Sequence, residues 1–416
     1  MLYKAYILIV KLLKTLLYKA YILIVKILKF LKTLLYKAYI LIVKKRTNMR
    51  VLSLFSGIGG FEKGLELANI NHSVEMISEL CSFAREAYLQ NFKTKQINTN
   101  IKKLDENDAP DHDLLVGGFP CQTFSIAGKR RGFLDETKGT LFFDICRILK
   151  VKKPKFFILE NVKNLVSHDN SNTIKVILNH LSDLGYSIDF DVLNAKDSGV
   201  PQARERTFIV GIKDYKKEPL FYTSKFPTIN EIKNYCNINN LNTFNFFSTL
   251  KQDFSNYVLL KDILKSNESP FFYCDKNSTG IRKEYYNTLK SLNIINDTTL
   301  VYNIKKICTL PKKDIPGLKY GISRKIYSIY GISPTLCTKP DDPRFLKVKD
   351  NDYIVLAPTP EERFYICGYD KEFYNNIAKL NYSNSRMAIL TGNTIVPQVI
   401  RDICNHFKNF SNFKDI

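Results

Sequence analysis

The chain has 416 residues, 45% hydrophobic and 25% charged, which is enough for a sizeable core in one large domain or two. Its formal net charge of +22 favours a polyanionic partner, either nucleic acid or a membrane surface. Nine Cys without a CxxC pair and only five His argue against a zinc site, and this cysteine usage is typical of a reducing cytoplasm.

The first 48 residues are repetitive and basic. The decapeptide LYKAYILIVK occurs at 2–11, 17–26 and 35–44, and the region holds ten Lys and Arg46 but no acid. Its charge of +11 leaves +11 for residues 49–416, which still favours nucleic acid. No lysine-free run exceeds six residues, too few to span a bilayer, and the small-residue cleavage pattern of a signal peptide is missing.

Two interpretations of the repeats stay open. With a turn of about 100° per residue, most of the lysines fall on one face, as in an amphipathic helix on an anionic surface. Near-identical repeats also suggest a repeated DNA tract translated ahead of Met49, where an ordered pattern begins. We favour the second and expect residues 1–48 to lie outside the fold and to be dispensable for chemistry.

From Met49 the hydrophobic pattern alternates between strands and helices. Strands are predicted at 50–55, 74–78, 114–116, 156–159, 188–193 and 207–211, and helices at 61–70, 82–92, 141–150 and 173–184. This order predicts an α/β fold with a mostly parallel sheet and helices on both faces. Phe55–Gly60, Glu79, Cys121 and Glu160 all follow predicted strands, at the sheet edge where such folds bind ligands.

After Gly211 the alternation stops. Residues 213–345 are rich in Asn, Lys, Tyr and Phe, with short β-like runs that predict a second, irregular domain. Helix and strand signals resume near Glu361, and residues 392–400 lead into a last helix that ends near Phe407.

Two features suggest a ligand site at the sheet edge. The glycine turn at 55–60 with Glu79 about 20 residues on suits a nicotinamide cofactor, and any other adenosine cofactor equally well. Gly57 and Gly59 have no side chain, so the backbone can approach the ligand closely. The Glu79 carboxylate can accept hydrogen bonds from ribose hydroxyls. Cys121 follows a proline in a Gly-rich turn; cysteine is ordinarily a buried apolar residue, but this location makes Cys121 a candidate nucleophile.

Five short blocks, in this order, carry a family resemblance. They are Phe55-Ser-Gly-Ile-Gly-Gly60, Pro120-Cys-Gln122, Glu160-Asn-Val162, Gln202-Ala-Arg-Glu-Arg206 and Gly392-Asn393. From Met49 to about Phe407 the chain resembles the cytosine-C5 DNA methyltransferases of bacterial restriction–modification systems. The resemblance implies a Rossmann-like S-adenosylmethionine-dependent methyltransferase domain with a smaller, irregular β-rich target recognition domain. It assigns 49–212 to the catalytic and cofactor domain, 213–384 to target recognition and hinge, and 385–416 to a segment that returns to the catalytic domain.

The resemblance also implies a cofactor site. S-adenosylmethionine, which becomes S-adenosylhomocysteine, would be held by Phe55, Ser56, Gly57, Gly59, Gly60, Glu79, Leu80, Asn100, Ile101, Pro120, Leu141 and Asn393. Leu80 stands where the family often has an aromatic residue, and Asn100 stands where it commonly has an acid. These two departures affect how the adenine is packed.

The chemistry implied is methyl transfer to carbon 5 of cytosine. Addition of a thiolate at carbon 6 makes carbon 5 nucleophilic, and Cys121 is the candidate for this addition. Glu160, protonated or sharing a proton, can stabilise N3 of the base. Arg204 and Arg206 carry fixed donors, and the resemblance puts one of them on the base O2 and near the thiolate.

The target base lies inside the duplex stack, so it has to be flipped into the pocket. The loop 125–133, with three cations between Gly128 and Gly132, is predicted to close on DNA, although a solvated basic turn is the alternative. Residues 324–336 resemble the end of the family's target recognition domain, which reads bases in the major groove. The DNA-binding residues expected are Gln122, Ser125, Lys129, Arg130, Arg131, Gln202, Arg324, Tyr327 and Thr335.

We therefore expect a cytoplasmic, monomeric enzyme that acts on double-stranded DNA without a metal ion or stable membrane association. A cognate restriction endonuclease, acting at the same site but not bound to this chain, is a further expectation. Three alternatives remain: a tRNA cytosine-5 methyltransferase of the same fold, an inactive DNA-binding relative, and a dinucleotide-dependent oxidoreductase. The last leaves Pro120-Cys121 and Gln202–Arg206 without a role.

Overall fold

The computed structural model describes residues 2–46, 48–120, 141–264, 270–274, 276–277, 280–291, 300–301, 303–309, 325–338, 343–349 and 352–410. Its internal contacts divide the chain into two units between Asn48 and Met49. The first unit is one continuous helix, α1 (Leu2–Arg46). Of the helices in these described ranges, none has the length and apolar character needed to cross a membrane.

The second unit is built on a seven-stranded sheet, counted over the described residues. The first half of this unit contains the strands β1 (Met49–Leu54), β2 (His72–Ser78), β3 (Gln96–Asn98), β4 (Leu114–Gly118), β5 (Phe156–Val162), β6 (Tyr186–Asn194), β7 (Gln202–Ala203) and β8 (Glu205–Lys213), of which all but β7 belong to this sheet. The sheet order is β3-β2-β1-β4-β5-β8-β6. All neighbours from β3 to β5 are parallel, and β8 is antiparallel to both β5 and β6. The mostly parallel sheet predicted from the sequence is confirmed.

Helices cover both faces of this sheet. Those between the strands are α2 (Gly60–Leu67), α3 (Ser82–Asn91), α4 (Leu141–Lys152) and α5 (Asn172–Asp183). In β5 the side chains alternate between faces, so Phe157 packs in one core with Ile145 of α4 and Ile177 of α5. Its neighbour Phe156 points to the other face, where its ring lies 5.7 Å from that of Phe407 in the C-terminal helix. The α/β class with two covered faces is therefore confirmed.

The segment after β8 continues this core. It contains α6 (Pro227–Ile238) and α7 (Leu260–Ile263), and Ile229 and Ile232 of α6 belong to the same buried cluster as the sheet. The Lys233 ammonium lies 3.2 Å from the Asp189 carboxylate of β6, and both side chains are almost fully buried. The domain boundary at residue 212 stays a prediction, but the core of the first sheet extends beyond it.

A second, β-rich region follows, as predicted. Its elements are β9 (Pro270–Cys274), α8 (Gly280–Ser291), β10 (Lys306–Thr309), β11 (Lys325–Ser328), β12 (Ser333–Pro334), β13 (Arg344–Lys349) and β14 (Asp352–Leu356). Five of these described strands form a sheet in the order β10-β11-β13-β14-β9. The short β12 pairs in parallel with β7, so this region is joined to the first sheet just before Arg204.

The chain ends in helices that return to the first sheet. They are α9 (Pro360–Ile366), α10 (Lys371–Ala378), α11 (Asn384–Gly392) and α12 (Pro397–Phe407). A capping box formed by Thr359 and Glu362 fixes the start of α9. Helix α12 packs against α2, the helix that follows the glycine turn.

Candidate active site

The ends of four parallel strands place the candidate residues at one edge of the sheet. Leu54 at the end of β1 pairs with Ser78 of β2 and Gly117 of β4, and Gly118 of β4 pairs with Glu160 of β5. The glycine turn, Glu79, Pro120 and Glu160 are therefore neighbours along this edge, as the order of strands and helices predicted.

The glycine turn has a left-handed backbone at several positions. Phe55, Gly57 and Gly59 have φ angles of +54°, +55° and +92°. The Phe55 N–H donates to the Ser78 carbonyl at 2.6 Å, which ties the turn to the end of β2. A Cβ placed on Gly57 would meet nothing within 4 Å, so open space lies beside this residue. Open space next to a turn that leads into a helix suits a cofactor that approaches the backbone.

Glu79 connects this turn to the segment after β2. Its carboxylate accepts hydrogen bonds from the Gly57 N–H at 2.9 Å and the Cys81 N–H at 2.8 Å. Each carboxylate oxygen has a second lone pair, so Glu79 can still accept bonds from a ligand hydroxyl. Next to it, the Leu80 side chain is 74% exposed, so its apolar surface is accessible for packing against a ligand.

Asn100 and Ile101 lie one strand further along. The Asn100 side chain caps a short 3₁₀ helix by accepting from the Lys102 N–H at 3.1 Å, and Ile101 is buried. The Asn98 side chain accepts from the Ser78 hydroxyl at 2.9 Å and from the Asn100 N–H at 3.0 Å. Asn98 thus fixes Asn100 relative to β2, a role that the sequence pattern did not indicate.

The chain approaching Cys121 is held by Asn161. The buried Asn161 side chain donates to the Phe119 carbonyl at 2.9 Å, one residue before the exposed Pro120. Asn161 belongs to the Glu160–Val162 block, but the sequence analysis assigned it no role. Seven predicted site residues lie outside the described residues, namely Cys121, Gln122, Ser125, Lys129, Arg130, Arg131 and Arg324. Leu141, where the described chain resumes, is partly buried against the main core.

Glu160 and Arg206 form an ion pair at the same edge. The Arg206 Nε lies 3.1 Å from Glu160 Oε1, and the Arg206 Nη1 donates to the Glu205 carbonyl at 2.8 Å. Strand pairing explains the contact, because Val162 of β5 is the partner of Arg206 and alternate residues share a face. Burial raises the pKa of Glu160 above its ordinary value, while Arg206 and then Arg204 act in the opposite direction.

Arg204 has a different environment. Its guanidinium is buried, and Nη2 donates to the carbonyls of Gly392 at 3.0 Å and Thr394 at 2.7 Å. Its Nε and Nη1 find no hydrogen-bond partner among the described residues. Burial, with a smaller effect from Arg206, lowers the pKa of Arg204 to about 10. The arginine motif therefore points one side chain at Glu160 and the other at the C-terminal segment.

The C-terminal segment lies against the glycine turn. A Cβ on Gly60 would come within 2.5 Å of the Ile395 carbonyl oxygen, so only glycine permits this approach. The Tyr369 hydroxyl donates to the same carbonyl at 3.1 Å. Asn393, at the C-terminal end of α11, is exposed. Residues 392–395 thus connect Arg204 with the turn at 55–60.

The residues predicted to bind DNA differ in their surroundings. The Thr335 hydroxyl donates to the Ala203 carbonyl at 2.8 Å, directly before Arg204. Gln202 is fully buried and donates to the Ile366 carbonyl at 3.3 Å. Tyr327 is buried against Phe345. Since Gln202 and Tyr327 are packed inside the protein, their positions do not favour the DNA contacts expected from the sequence; Arg324 lies outside the described residues.

An open cleft of about 500 Å³ adjoins the arginine motif. It is lined by Lys163, Asn194, Lys196, Ala203, Glu205, Asn303, Ile304 and Thr335. The Lys163 ammonium lies 2.7 Å from Glu205, and the pair flanks the Glu160–Arg206 edge. Lys163 and Lys196 were not among the predicted site residues, although Lys163 directly follows the Glu160–Val162 block.

A much smaller cavity lies behind the ion pair. Its volume is about 10 Å³, close to the room that a single water molecule needs, and Glu160, Arg204 and Arg206 help to line it. No group of three or more His, Cys, Asp or Glu side chains that could hold a metal ion occurs in the part of the chain that is described.

Comparisons with known proteins agree with this architecture. Residues 49–409 match the family model of C-5 cytosine-specific DNA methylases. The type II methyltransferase M.HhaI of Haemophilus parahaemolyticus is 32% identical over 374 residues, 88% of this chain and 97% of that protein. The orphan methyltransferase M.SPRI of Bacillus phage SPR is 34% identical over 304 residues, 70% of this chain but only 64% of its own length.

Solved structures give the same fold. The crystal structure of the S. pombe Dnmt2 methyltransferase superposes with a TM-score of 0.56, covering 88% of this chain and 99% of that one at 16% identity. The family model spans most of the chain, and the described residues of the blocks that carry the resemblance lie along one edge of the first sheet and in its C-terminal return. The chain belongs to the C-5 cytosine-specific DNA methylase family.

Proposed function

We propose that this protein transfers a methyl group from S-adenosylmethionine to carbon 5 of a flipped cytosine in a specific short sequence of duplex DNA. The observation that carries the proposal is the buried carboxyl of Glu160, paired with Arg206 at 3.1 Å on the strand next to the chain that leads into Pro120-Cys121. Family membership over residues 49–409 supports the same activity.

Cys121 is the proposed nucleophile. Its thiolate forms a bond to carbon 6 of cytosine, and the ring electrons move towards N3 and carbon 5. Asn161 supports this role, because its bond to the Phe119 carbonyl fixes the backbone two residues before Cys121. After methylation, loss of the carbon 5 proton expels the thiolate and restores the aromatic ring.

Glu160 is proposed to supply or share the proton at N3. Burial raises the pKa of its carboxyl, so a protonated form is favoured relative to an exposed glutamate. Such a group can donate to a nitrogen that becomes basic during addition at carbon 6. Arg206, held by Glu160 and the Glu205 carbonyl, presents the remaining donors of its guanidinium to the base.

The residues at the edge of the sheet fit an adenosine cofactor. The open space beside Gly57, the second lone pairs of Glu79 and the exposed Leu80 lie together, and we propose that they hold S-adenosylmethionine. When bound, this cofactor supplies an electrophilic methyl group. Arg204 is proposed to act by positioning: it anchors the Gly392 and Thr394 carbonyls, which keeps Ile395 against Gly60.

Duplex DNA is the proposed substrate, and the 500 Å³ cleft beside the arginine motif is the proposed path of its backbone. Lys163 and Lys196 line this cleft and can neutralise phosphates. The β-rich region from Pro270 to Leu356 is proposed to read the bases. The biological role proposed is modification that protects DNA from a cognate restriction endonuclease.

Covalent trapping tests this proposal. The full chain is incubated with S-adenosylmethionine and duplex DNA that contains 5-fluorocytosine, which blocks the last step and leaves the protein attached. We expect a denaturation-resistant adduct with the wild-type chain and none with Cys121→Ala, while both bind S-adenosylhomocysteine. An adduct on tRNA instead of DNA would replace the proposed substrate, and no adduct on either would identify an inactive relative.

A further inference from the structure

Helix α1 gathers the lysines of its central part on one side and leaves the opposite side without charge. With 3.6 residues per turn, Lys14, Lys19, Lys26, Lys29, Lys32 and Lys37 fall within an arc of about 140°. The opposite side carries Leu13, Leu17, Ile24, Ile27, Leu31 and Leu34, whose exposed fractions lie between 46% and 70%. A single helix that keeps these side chains in water is unfavourable, so the apolar side requires a partner.

The sequence repeats preserve this arrangement along the helix. The second and third copies of LYKAYILIVK begin 15 and 18 residues after the copies before them. A spacing of 18 residues is five full helical turns, and one of 15 residues is about 60° more than four turns, so equivalent residues return to the same side or within about 60° of it. The apolar stripe from Leu13 to Leu34 therefore lies in the middle of a helix whose length is about 68 Å.

We propose that α1 lies flat on an anionic lipid surface. Residues 2–46 hold eleven cations and no acid, so the polar side matches the negative headgroups, and the apolar side can enter the boundary between headgroups and acyl chains. Duplex DNA would match the charge but leave the apolar stripe in water. A second copy of α1 would cover the stripe but bring two helices of high positive charge together.

This proposal departs from the expectation of no stable membrane association. From the repeats alone, the interpretation favoured is a translated tract that is dispensable for chemistry. A continuous helix from Leu2 to Arg46, whose six lysines between Lys14 and Lys37 fall on one side, is the observation that favours a surface-bound helix.

Vesicle flotation of the full-length protein tests the proposal. Vesicles of phosphatidylcholine alone are compared with vesicles that also contain phosphatidylglycerol, at low and high salt. The double variant Ile24→Asp/Leu31→Asp puts two charges on the apolar side. The control Ile22→Asp/Thr33→Asp adds the same two charges among the lysines, so the net charge is matched and the catalytic unit is unchanged.

We expect the wild-type chain and the control to float with the anionic vesicles, and the apolar-side variant to partition at least about tenfold less. Equal binding by both variants would overturn the proposal, because the basic catalytic unit alone would then explain it. So would failure of the wild-type chain to float. Short duplex DNA is added as competitor; binding to the vesicles should persist, because DNA leaves the apolar side of α1 uncovered, and complete displacement would overturn the proposal.

Discussion

Arg204, directly before β8, and Arg206, within it, point to different parts of the molecule: Arg206 Nε lies 3.1 Å from Glu160, and Arg204 Nη2 lies 3.0 Å from the Gly392 carbonyl. The sequence motif that contains them therefore connects the residues proposed to contact the cytosine base with the C-terminal segment beside the glycine turn. Their substitutions are expected to affect different steps.

Replacing Arg206 with Lys should lower kcat about 100-fold, because an ammonium cannot reproduce the donors of the guanidinium at Glu160 and the base. Replacing Arg204 with Lys should mainly raise KM for S-adenosylmethionine, since the Gly392 and Thr394 carbonyls lose their donor. Steady-state kinetics with each substrate varied in turn measures both. Equal losses of kcat in the two variants, with KM for the cofactor unchanged, would contradict the division of roles.

Glu160→Gln should abolish turnover. It should also make the free energy of unfolding less sensitive to rising pH. The folded state raises the pKa of Glu160, so it binds this proton more tightly than the unfolded chain. The stability gained is present below the ordinary pKa of glutamate and is lost as pH rises through the raised pKa. Urea unfolding of both proteins across this window should show the wild type losing free energy of unfolding relative to Glu160→Gln; a difference independent of pH would be inconsistent with a raised pKa.

Asn161→Ala should destabilise the protein by about 1–3 kcal/mol, because the buried Phe119 carbonyl loses its donor. The same change should lower kcat, since the backbone that leads into Cys121 is then free to shift. Asn164, nearby on the same strand-to-helix connection, provides a matched control as Asn164→Ala. If Asn161→Ala lost stability but kept full kcat, the residue would be purely structural.

Lys163→Gln and Lys196→Gln should weaken DNA binding to a similar extent for all sequences, because phosphate contacts carry no base information. Each should reduce the slope of log K against log salt by about 1. Lys153→Gln serves as the control, since Lys153 precedes β5 at the opposite end of that strand from Glu160. Salt titrations of binding to duplex DNA measure the slopes. An unchanged slope in both cleft variants would show that Lys163 and Lys196 do not contact phosphates.

Much of the first sheet could be predicted, because local patterns determine it. The strand Phe156–Leu159 is a continuous apolar run between turn signals, as expected of a strand buried on both faces, and the positive φ angles at Gly57 and Gly59 favour the glycines found there. The strand order then brings Glu79, Pro120 and Glu160 to one edge without further information.

The remainder depends on contacts between distant residues. Tyr327 resembles an exposed recognition residue until β11 places it against Phe345, and Gln202 is buried because β7 pairs with β12, more than 100 residues later in the chain. The burial of Lys233 on α6 likewise depends on its ion pair with the distant Asp189. Neither charge in isolation predicts burial, since an unpaired buried charge is strongly disfavoured.

The most direct test of the central claim is base-resolution sequencing of 5-methylcytosine in genomic DNA from a host that expresses the full chain, beside hosts that express Cys121→Ala and Glu160→Gln. We predict nearly complete methylation of one short sequence motif with the wild-type chain and background levels with both variants. Methylation at the same motif by Cys121→Ala, or the absence of 5-methylcytosine with the wild-type chain, would contradict the proposed reaction.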